Sequence, residues 1–371
     1  MPQQQHHHWM AQALRLARKG LYSAHPNPRV GCVIVKDRTM LGAGWHEFTG
    51  GAHAEVNAIT SAEIPAGADF YVTLEPCSHH GRTPPCADAL IAAGAARVIV
   101  AMQDPNPEVG GRGLEQLRAS GIEVITGVLE SEARELNRGF IKRMERQLPF
   151  VSVKMALSLD GRSALANGVS KWITGEQARR DVQFLRAQAS AILSSAQTVL
   201  DDDPSLNMRL SKQELNQTRD PRRPIRVLVD SRLRLSGREK VFATEGDIWI
   251  YTCSNDASRK DELRQLGVQV IEVAATDAGQ VALPAMLRDM AARGINEVHT
   301  ECGSHLAGAL IDQQLADQMM LYLAPHLLGD RARGGFDLGE LTAMDQRKTC
   351  RICDIRQFGE DLRLTLNFEK D

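Results

Sequence analysis

Short β-branched segments alternate with helical patterns over the first third of the chain, and the alternation begins again after Pro149. The first series contains the strand-like runs "GCVIV", "FYVTL", "RVIVAM" and "IEVITG", with helix-like segments between them. The second series runs from "FVSVKMALS" to "NEVHTECG". Alternation of this kind predicts α/β layering, and its restart predicts two domains, at residues 1–148 and 149–371.

The composition is globular and gives no sign of a broad nucleic-acid or membrane surface. Both signs of charge are interspersed and the net charge is −2, so any phosphate must be bound locally. The chain has no apolar run of about eighteen residues and no signal-peptide pattern. The seven cysteines lack the regular spacing of a disulfide scaffold and are expected to be reduced. We therefore expect a cytoplasmic protein.

Four residues have the types and the order of a catalytic zinc site. His53 and Glu55 begin a helical pattern in "HAEVNAI", Cys77 follows the strand "FYVTLEP", and Cys86 lies near the start of another helix. Zinc favours imidazole and thiolate ligands, and a catalytic site uses three of them so that the fourth position can hold water. We predict His53, Cys77 and Cys86 as the ligands and Glu55 as the proton carrier.

Each of these residues alone would more often be structural than functional. The combination is more specific, because His-x-Glu followed by Pro-Cys and a second Cys is the signature of the zinc deaminases of nucleosides and nucleobases. The histidines at positions 6–8 are interpreted instead as a solvated N-terminal tail. Further metal ligation by His79 and His80 is not expected, since three ligands suffice.

Residues 1–148 resemble the deaminase half of the bifunctional riboflavin-biosynthesis deaminase/reductase family. The segments that carry the resemblance are "HPNPRVGCVIVKD", "HAEVNAI" and "TLEPCSHHGRTPPC". The eight residues between Cys77 and Cys86, where most zinc deaminases have two, are similar to this subfamily. The resemblance implies a cytidine-deaminase-like three-layer domain that removes an exocyclic amine from a phosphoribosylated diaminopyrimidinone by hydrolysis.

Further substrate-side groups are expected near this site. By resemblance, "MQDPNPEVGGRG" at residues 102–113 belongs near the substrate pocket. The segment "PCSHHGRTPP" either contacts the substrate directly or is merely a rigid loop. The candidate side chains are Asn27, His46, His79, His80, Arg82 and Thr83.

The second half contains no nucleophile–base pair and no metal cluster in its most distinctive segments, so binding is favoured over covalent catalysis. These segments are "KMALSLDGRSA", "WITGEQARRDVQFLRAQASAIL", "TVLDDDPSLNMR" and "ECGSHLAGAL". In the last, glycines flank a predicted helix start where backbone N–H groups can hold phosphate, although a packing turn is the commoner explanation. The four segments resemble the reductase half of the same family, which implies a dihydrofolate-reductase-like domain reducing a ribosyl group to ribityl with NADPH.

The resemblance also implies individual contacts. NADPH would be contacted by Ala156, Trp172, Thr198, Asp202, Ser231, Gly303, Ser304, His305, Leu306, Ala307, Gly308 and Ala309. Substrate would be held by Ser170, Arg186, Leu206, Arg209 and Glu301. An arginine fork can bond two phosphate oxygens at once.

Several of these residues also have a purely structural interpretation. Arg186 is alternatively a solvated helix charge beside Arg179 and Arg180, and Trp172 is alternatively a core residue. Asp160 is either a polar site residue or ordinary Asp-Gly turn chemistry. A thiol catalyst built from Cys302 and His305 is disfavoured, since the reductase resemblance explains the segment without it.

Two other functions compete with the bifunctional enzyme. A single-activity tRNA or nucleoside deaminase with a structural C-terminal domain would release ammonia but oxidise no NADPH. A zinc-stabilised interaction module is weaker, because structural zinc sites normally fill all four positions with protein ligands. The expected partner is a phosphoribosylated pyrimidine, with a second copy of the chain as a further candidate, and no nucleic acid or membrane is expected.

Overall fold

A computed structural model describes residues 3–78, 84–107 and 109–369. The chain divides into two compact units, Met1–Gln147 and Leu148–Asp371, each with its own large sheet. Among the described residues, none of the helices combines the length and the apolar character needed to cross a bilayer.

The first unit contains a five-stranded sheet in the order β2-β1-β3-β4-β5. Its strands are β1 (Gly31–Lys36), β2 (Thr39–Trp45), β3 (Asp69–Val72), β4 (Arg97–Val100) and β5 (Glu123–Thr126). Its helices are α1 (Gln3–Ala17), α2 (Ala54–Thr60), α3 (Cys86–Ala92), α4 (Arg112–Ala119), α5 (Glu130–Leu136) and α6 (Arg138–Arg146). β3, β4 and β5 run parallel, while β1 is antiparallel to both of its neighbours.

Side chains that alternate along the strands are buried by helices on both faces of this sheet. On one face, residues such as Ile34 and Phe70 pack against α2, α3 and α4. On the other face, Val33 and Tyr71 pack against α1, α5 and α6. The predicted α/β layering is therefore confirmed as three layers, helix on sheet on helix.

The N-terminal histidines do not form the predicted solvated tail. They lie in α1, where His6 is buried and its Nδ1 is 3.1 Å from the Tyr71 hydroxyl, while His7 and His8 are exposed. Met10 and Leu14 follow His6 at intervals of four residues and are buried with it. The prediction was wrong for His6 because this segment is an amphipathic helix packed on the sheet.

The second unit is built on a nine-stranded sheet in the order β11-β10-β9-β8-β12-β6-β13-β16-β15. Its strands are β6 (Phe150–Ser158), β8 (Ala191–Ser195), β9 (Ile225–Val229), β10 (Ile248–Thr252), β11 (Gln269–Glu272), β12 (Glu297–Glu301), β13 (Gln318–Ala324), β15 (Cys350–Phe358) and β16 (Asp361–Phe368). The short strands β7 (Arg162–Ala164) and β14 (Arg333–Gly334) pair separately.

Helices cover both faces of the nine-stranded sheet. They are α7 (Glu176–Gln188), α8 (Ala196–Asp202), α9 (Ala257–Gln265), α10 (Leu283–Ala292) and α11 (Ser304–Asp312). α10 and α11 pack in one core cluster, and α7, α8 and α9 pack against side chains of the opposite face. Across the sheet, the neighbouring strands β11, β10, β9, β8, β12, β6 and β13 all run parallel. Their carboxyl ends therefore share one edge, which is where open α/β sheets bind ligands.

Candidate functional site

The three predicted metal ligands come together in the first unit. Their donor atoms all lie within 4.8 Å of one another. His53 Nδ1 is 3.1 Å from Cys86 Sγ and 3.5 Å from Cys77 Sγ. Bonds of ~2.0–2.3 Å at a tetrahedral ion place ligand atoms about 3.5–3.8 Å apart. The cluster therefore has the donor chemistry and close to the spacing that zinc requires.

Two helix starts position these donors. His53 is the N-cap of α2, and Cys86 is the first residue of α3. The Cys86 backbone N–H donates to Cys77 Sγ at 3.3 Å, and the Ala87 N–H donates to the Cys77 carbonyl at 3.1 Å. The partial positive charge at a helix N-terminus favours the thiolate form that a metal requires.

The two neighbouring thiols shift each other's pKa in opposite directions. A hydrogen bond from Cys86 lowers the pKa of Cys77 to about 4, even though burial opposes the shift. The same hydrogen bond, together with burial, raises the pKa of Cys86. A metal ion must therefore displace the Cys86 proton, since only thiolate binds it tightly.

Glu55 is buried in the first turn of α2, two residues after His53. Burial raises the pKa of its carboxyl group to about 7. A carboxyl group with this pKa can accept a proton and return it near neutral pH. The side chain is thus chemically suited to proton transfer beside the three donors.

His46 and Asn27 also lie at this site. The His46 ring centre is 5.6 Å from that of His53, and His46 is buried. The Asn27 amide donates to His46 Nε2 at 3.0 Å, and His46 Nδ1 donates to the Ala52 carbonyl at 3.1 Å. Because burial lowers the pKa of His46, its neutral form is favoured. The other substrate-side candidates, His79, His80, Arg82 and Thr83, lie outside the described residues.

Glu75 is an organising residue that the sequence interpretation missed. Its buried carboxylate accepts the backbone N–H groups of Asp104 at 3.1 Å, Gly111 at 2.9 Å and Gly113 at 2.9 Å. A Cβ on Gly113 would lie 2.0 Å from the Pro76 carbonyl oxygen, so glycine is required there. Glu75 thereby fixes the segment after β4 against the chain leading to Cys77. Its only sequence signal is a charged residue three positions after the buried strand β3.

In the second unit, two predicted substrate residues bind each other. Arg186 donates to both carboxylate oxygens of Glu301, at 2.5 and 2.7 Å, and to the Asn207 carbonyl at 2.7 Å. Arg186 is 9% exposed, so its interpretation as a solvated helix charge is wrong. Burial alone would raise the pKa of Glu301, but the Arg186 charge holds it well below its usual range.

Three predicted residues near the surface, Ser170, Trp172 and Asp202, are held by specific contacts. Trp172 is 70% exposed and the Arg179 guanidinium lies 4.6 Å from its ring centre, so the core interpretation of Trp172 is wrong. The Ser170 hydroxyl donates to the Asp202 carboxylate at 2.9 Å. This bond joins a predicted substrate residue to a predicted cofactor residue.

The segment at residues 303–309 combines a helix start with a packing glycine. Gly303 is the N-cap of α11 without a side-chain cap, and its N–H donates to Thr198 Oγ1 at 3.1 Å. A Cβ on Gly308 would lie 1.9 Å from the Asp337 carbonyl oxygen. His305 is exposed, and its ring Nδ1 lies within hydrogen-bond distance of the Asp337 carboxylate. Gly303 thus precedes a helix N-terminus that is suited to binding phosphate. Gly308 instead allows α11 to pack closely against the backbone of Asp337.

Cys302, which was disfavoured as a catalyst, and Asp160, which was left open, both have structural explanations. Burial raises the pKa of Cys302 to about 12, which keeps its thiol protonated and unsuited to nucleophilic catalysis. Asp160 accepts the Ser158 hydroxyl at 2.5 Å and the N–H of Gly329 at 2.7 Å. Its carboxylate therefore ties the turn after β6 to a neighbouring loop.

The remaining substrate candidates follow α8. Leu206 is buried and has a positive φ of 48°, which turns the chain sharply before Arg209. The Arg209 backbone N–H donates to the Gln183 side chain at 3.1 Å. Its exposed guanidinium has no hydrogen bond or ion pair with any residue in the described ranges. A free guanidinium is available to an anionic ligand.

Two protein families match the two halves of the chain. Residues 3–102 match the "Cytidine and deoxycytidylate deaminase zinc-binding region". Residues 149–364 match the "RibD C-terminal domain". The matches lie on either side of the boundary between the two compact units.

Relatives match over nearly the whole length. Riboflavin biosynthesis protein RibD of Escherichia coli is 46% identical over 369 residues, covering 98% of this chain and 99% of that protein. The protein of the same name from Haemophilus influenzae is 44% identical, covering 96% of each.

Solved structures agree with these matches. Acinetobacter baumannii RibD, form 1, has a TM-score of 0.91 at 41% identity, covering 99% of this chain and 100% of that one. A diaminohydroxyphosphoribosylaminopyrimidine deaminase/5-amino-6-(5-phosphoribosylamino)uracil reductase from Thermotoga maritima has a TM-score of 0.87 at 35% identity, covering 99% and 100%.

Proposed function

Because the chain belongs to the riboflavin biosynthesis protein RibD family, we propose that the residues described above carry out that family's two reactions. The chain is a bifunctional enzyme with a cytidine-deaminase-like half and a dihydrofolate-reductase-like half, and its cofactors are Zn²⁺ and NADPH. We assign deamination to residues 1–148 and reduction to residues 149–371, in keeping with the two family matches.

The first reaction is hydrolytic deamination of 2,5-diamino-6-(5-phosphoribosylamino)pyrimidin-4(3H)-one to 5-amino-6-(5-phosphoribosylamino)uracil. The second reduces the ribosyl group of that product to ribityl. In the first, water adds to the ring carbon that carries the amine, and ammonia leaves. In the second, the opened sugar accepts a hydride from NADPH, which becomes NADP⁺, and a proton completes the reduction. Deamination precedes reduction, because its product is the substrate of the second reaction.

In the deaminase half, His53, Cys77 and Cys86 would hold Zn²⁺. When bound, Zn²⁺ lowers the pKa of a water molecule toward neutrality. The Glu55 carboxylate accepts one proton from the attacking water and delivers it to the ring nitrogen. It then carries the second proton, from the new hydroxyl group, to the amine, which leaves as ammonia. Asn27 and the neutral ring of His46 lie beside His53, where they position the substrate rather than bind metal.

In the reductase half, NADPH supplies the hydride when bound. We assign its contacts to Ala156, Trp172, Thr198, Asp202, Ser231 and residues 303–309. Substrate contacts are assigned to Ser170, Arg186, Leu206, Arg209 and Glu301. Arg186 and Glu301 act as one buried, paired unit, whereas Arg209 keeps its guanidinium free for the substrate phosphate.

Location and assembly stay predictions. All seven cysteines are free, which supports a reducing compartment and hence the proposed cytoplasmic location. We also propose that the enzyme binds no nucleic acid, consistent with the small net charge of −2. Homo-oligomerisation likewise stays a prediction from the sequence.

The observation that carries the proposal is the three-donor cluster beside a buried glutamate. The test incubates the purified, zinc-loaded chain with the diaminopyrimidinone phosphate, with and without NADPH, and follows ammonia and NADPH absorbance separately. We expect ammonia release without NADPH, and NADPH oxidation once the deaminated product is present. Ammonia release without any NADPH oxidation would favour the single-activity deaminase, and absence of both would overturn the proposal.

A further inference from the structure

The residues assigned to NADPH form a row along the carboxyl edge of the nine-stranded sheet. Ala156 lies in β6, Gly303 follows β12, Thr198 follows β8, and Ser231 follows β9. These four strands are neighbours in the order β6-β12-β8-β9. Adjacent strands lie about 4.8 Å apart, so the row suits an elongated ligand rather than a compact one. The inference below rests on the proposed cofactor site.

The two ends of this row differ in their surroundings. The β6 and β12 end is next to the Arg186–Glu301 pair assigned to the substrate. The hydride-donating end of NADPH must reach the substrate, so it belongs at this end. The adenosine end, which carries the 2′-phosphate, therefore belongs toward β9.

The turn after β9 has a fixed backbone. Asp230 accepts the Leu235 N–H at 3.0 Å, and Ser231 Oγ accepts the Val281 N–H at 3.0 Å. Leu233 and Leu235 are buried on either side of Arg234. Because the Ser231 hydroxyl acts as acceptor in its bond to Val281, it keeps its own proton for donation to a ligand.

Arg232, directly after Ser231, is a cation that this turn leaves available. Its side chain is exposed and has no hydrogen bond or ion pair with any residue that the structure describes. Two nearby arginines are engaged: Arg234 bonds to Gln197 at 2.9 Å, and Arg259 bonds to Glu262 and to the Leu235 carbonyl. The side chain of Arg238 is also free of described partners, but it lies six residues further along the chain. Asp230, which could otherwise accept a ribose 2′-hydroxyl, is 1% exposed and turned inward.

We propose that Arg232, together with the Ser231 hydroxyl, binds the 2′-phosphate of NADPH and makes the reductase select NADPH over NADH. Dinucleotide-binding α/β folds distinguish the two cofactors at a strand end, with an acidic residue for the 2′-hydroxyl and an arginine for the 2′-phosphate. Here the acid is buried and the arginine is free. An arginine fork also matches phosphate geometry.

The test measures binding without turnover. Isothermal titration of the full-length, zinc-loaded protein compares adenosine 2′,5′-bisphosphate with 5′-AMP. We expect the wild type to prefer the bisphosphate, and Arg232→Ala to lose about 10- to 100-fold of that preference, the size of one charge-assisted contact. Arg232→Lys should restore part of it. Arg238→Ala, which removes an exposed arginine from the same loop, is the matched control.

Steady-state kinetics give a second readout. In Arg232→Ala, the ratio of kcat/KM for NADPH to that for NADH should fall through a higher KM for NADPH, with kcat little changed. A thermal melt of each variant verifies folding, and Arg232→Gln is a second neutral substitution. An unchanged preference in a folded variant that still binds NADPH would overturn the role of Arg232 alone. Failure of the wild type to bind NADPH would overturn the cofactor site as well.

Discussion

The two candidate sites of this chain are organised in opposite ways. In the first unit, three donor atoms from two short motifs lie within 4.8 Å of one another, beside one buried glutamate. In the second, the assigned residues are spread along the carboxyl ends of at least four strands, and few of them are chemically distinctive. In a compact metal site, activity depends on every single ligand. In an extended binding site, each residue contributes only part of the binding free energy. Substitutions should therefore have larger effects in the first site.

The largest effect is expected for Cys86→Ala. Losing one of three ligands should remove zinc and abolish deamination, while NADPH-dependent reduction of supplied deaminated intermediate continues. Zinc content by elemental analysis and ammonia release measure the first two effects. Cys353→Ala, at an exposed cysteine, is the control and should keep full zinc. Full zinc and full deamination in Cys86→Ala would rule out the ligand assignment.

Glu55→Gln should separate metal binding from proton transfer. Glutamine keeps the shape of the side chain but cannot accept a proton and pass it on. Zinc should therefore stay, and the deamination rate should fall by about 10²–10⁴. Zinc content and kcat are measured on the same preparation. Glu63→Gln changes an exposed glutamate of the same unit and should be silent. Loss of zinc together with activity would show that Glu55 supports the metal instead.

Arg186→Leu should destabilise the second unit. Removing one partner of the buried Arg186–Glu301 pair leaves an unpaired charge, which typically costs about 3–5 kcal/mol of unfolding free energy. Urea unfolding followed through a signal from this unit measures the loss. Arg180→Leu breaks the exposed pair with Glu214 and should cost at most about 1 kcal/mol. Equal stabilities for the two variants would contradict a structural contribution of the buried pair.

Arg209→Ala should have the smallest effect. Loss of one charge-assisted phosphate contact corresponds to about a 10- to 100-fold rise in the reductase KM, with deamination as an internal control. The assay uses the deaminated intermediate at saturating NADPH, and a thermal melt verifies folding. Unchanged KM and kcat in the folded variant would remove Arg209 from the substrate site.

Much of the first site could be predicted because its chemistry is local in sequence. His53 and Glu55 are two residues apart, and Cys77 and Cys86 each adjoin a regular element. Glu75 escaped notice because its partners, from Asp104 to Gly113, come from a distant loop. No spacing rule connects a carboxylate to backbone N–H groups nearly forty residues away.

Strands, too, could be predicted only where their own sequence carried a clear pattern. Most strands with continuous β-branched runs were predicted, but β2 was missed, because Gly42 and Gly44 weaken its pattern. Gly44 is needed where α2 crosses the strand, since a Cβ there would lie 2.4 Å from the Ala58 nitrogen. The strands of the nine-stranded sheet that follow β12 in the chain, which are β13, β15 and β16, were also missed. β15 is the edge strand, largely exposed, and its sequence "CRICDIRQF" has no clean alternation.

By itself, the sequence determined the α/β class and the zinc-binding chemistry, and it predicted Glu55 as the proton carrier, because residue types and short spacings express these directly. The tertiary structure alone decided that Arg186 pairs with Glu301, that His6 is buried and that Arg232 stays free. A side chain's partner and its exposure depend on which distant elements pack beside it. Burial then sets whether a charge must be paired or remains available to a ligand.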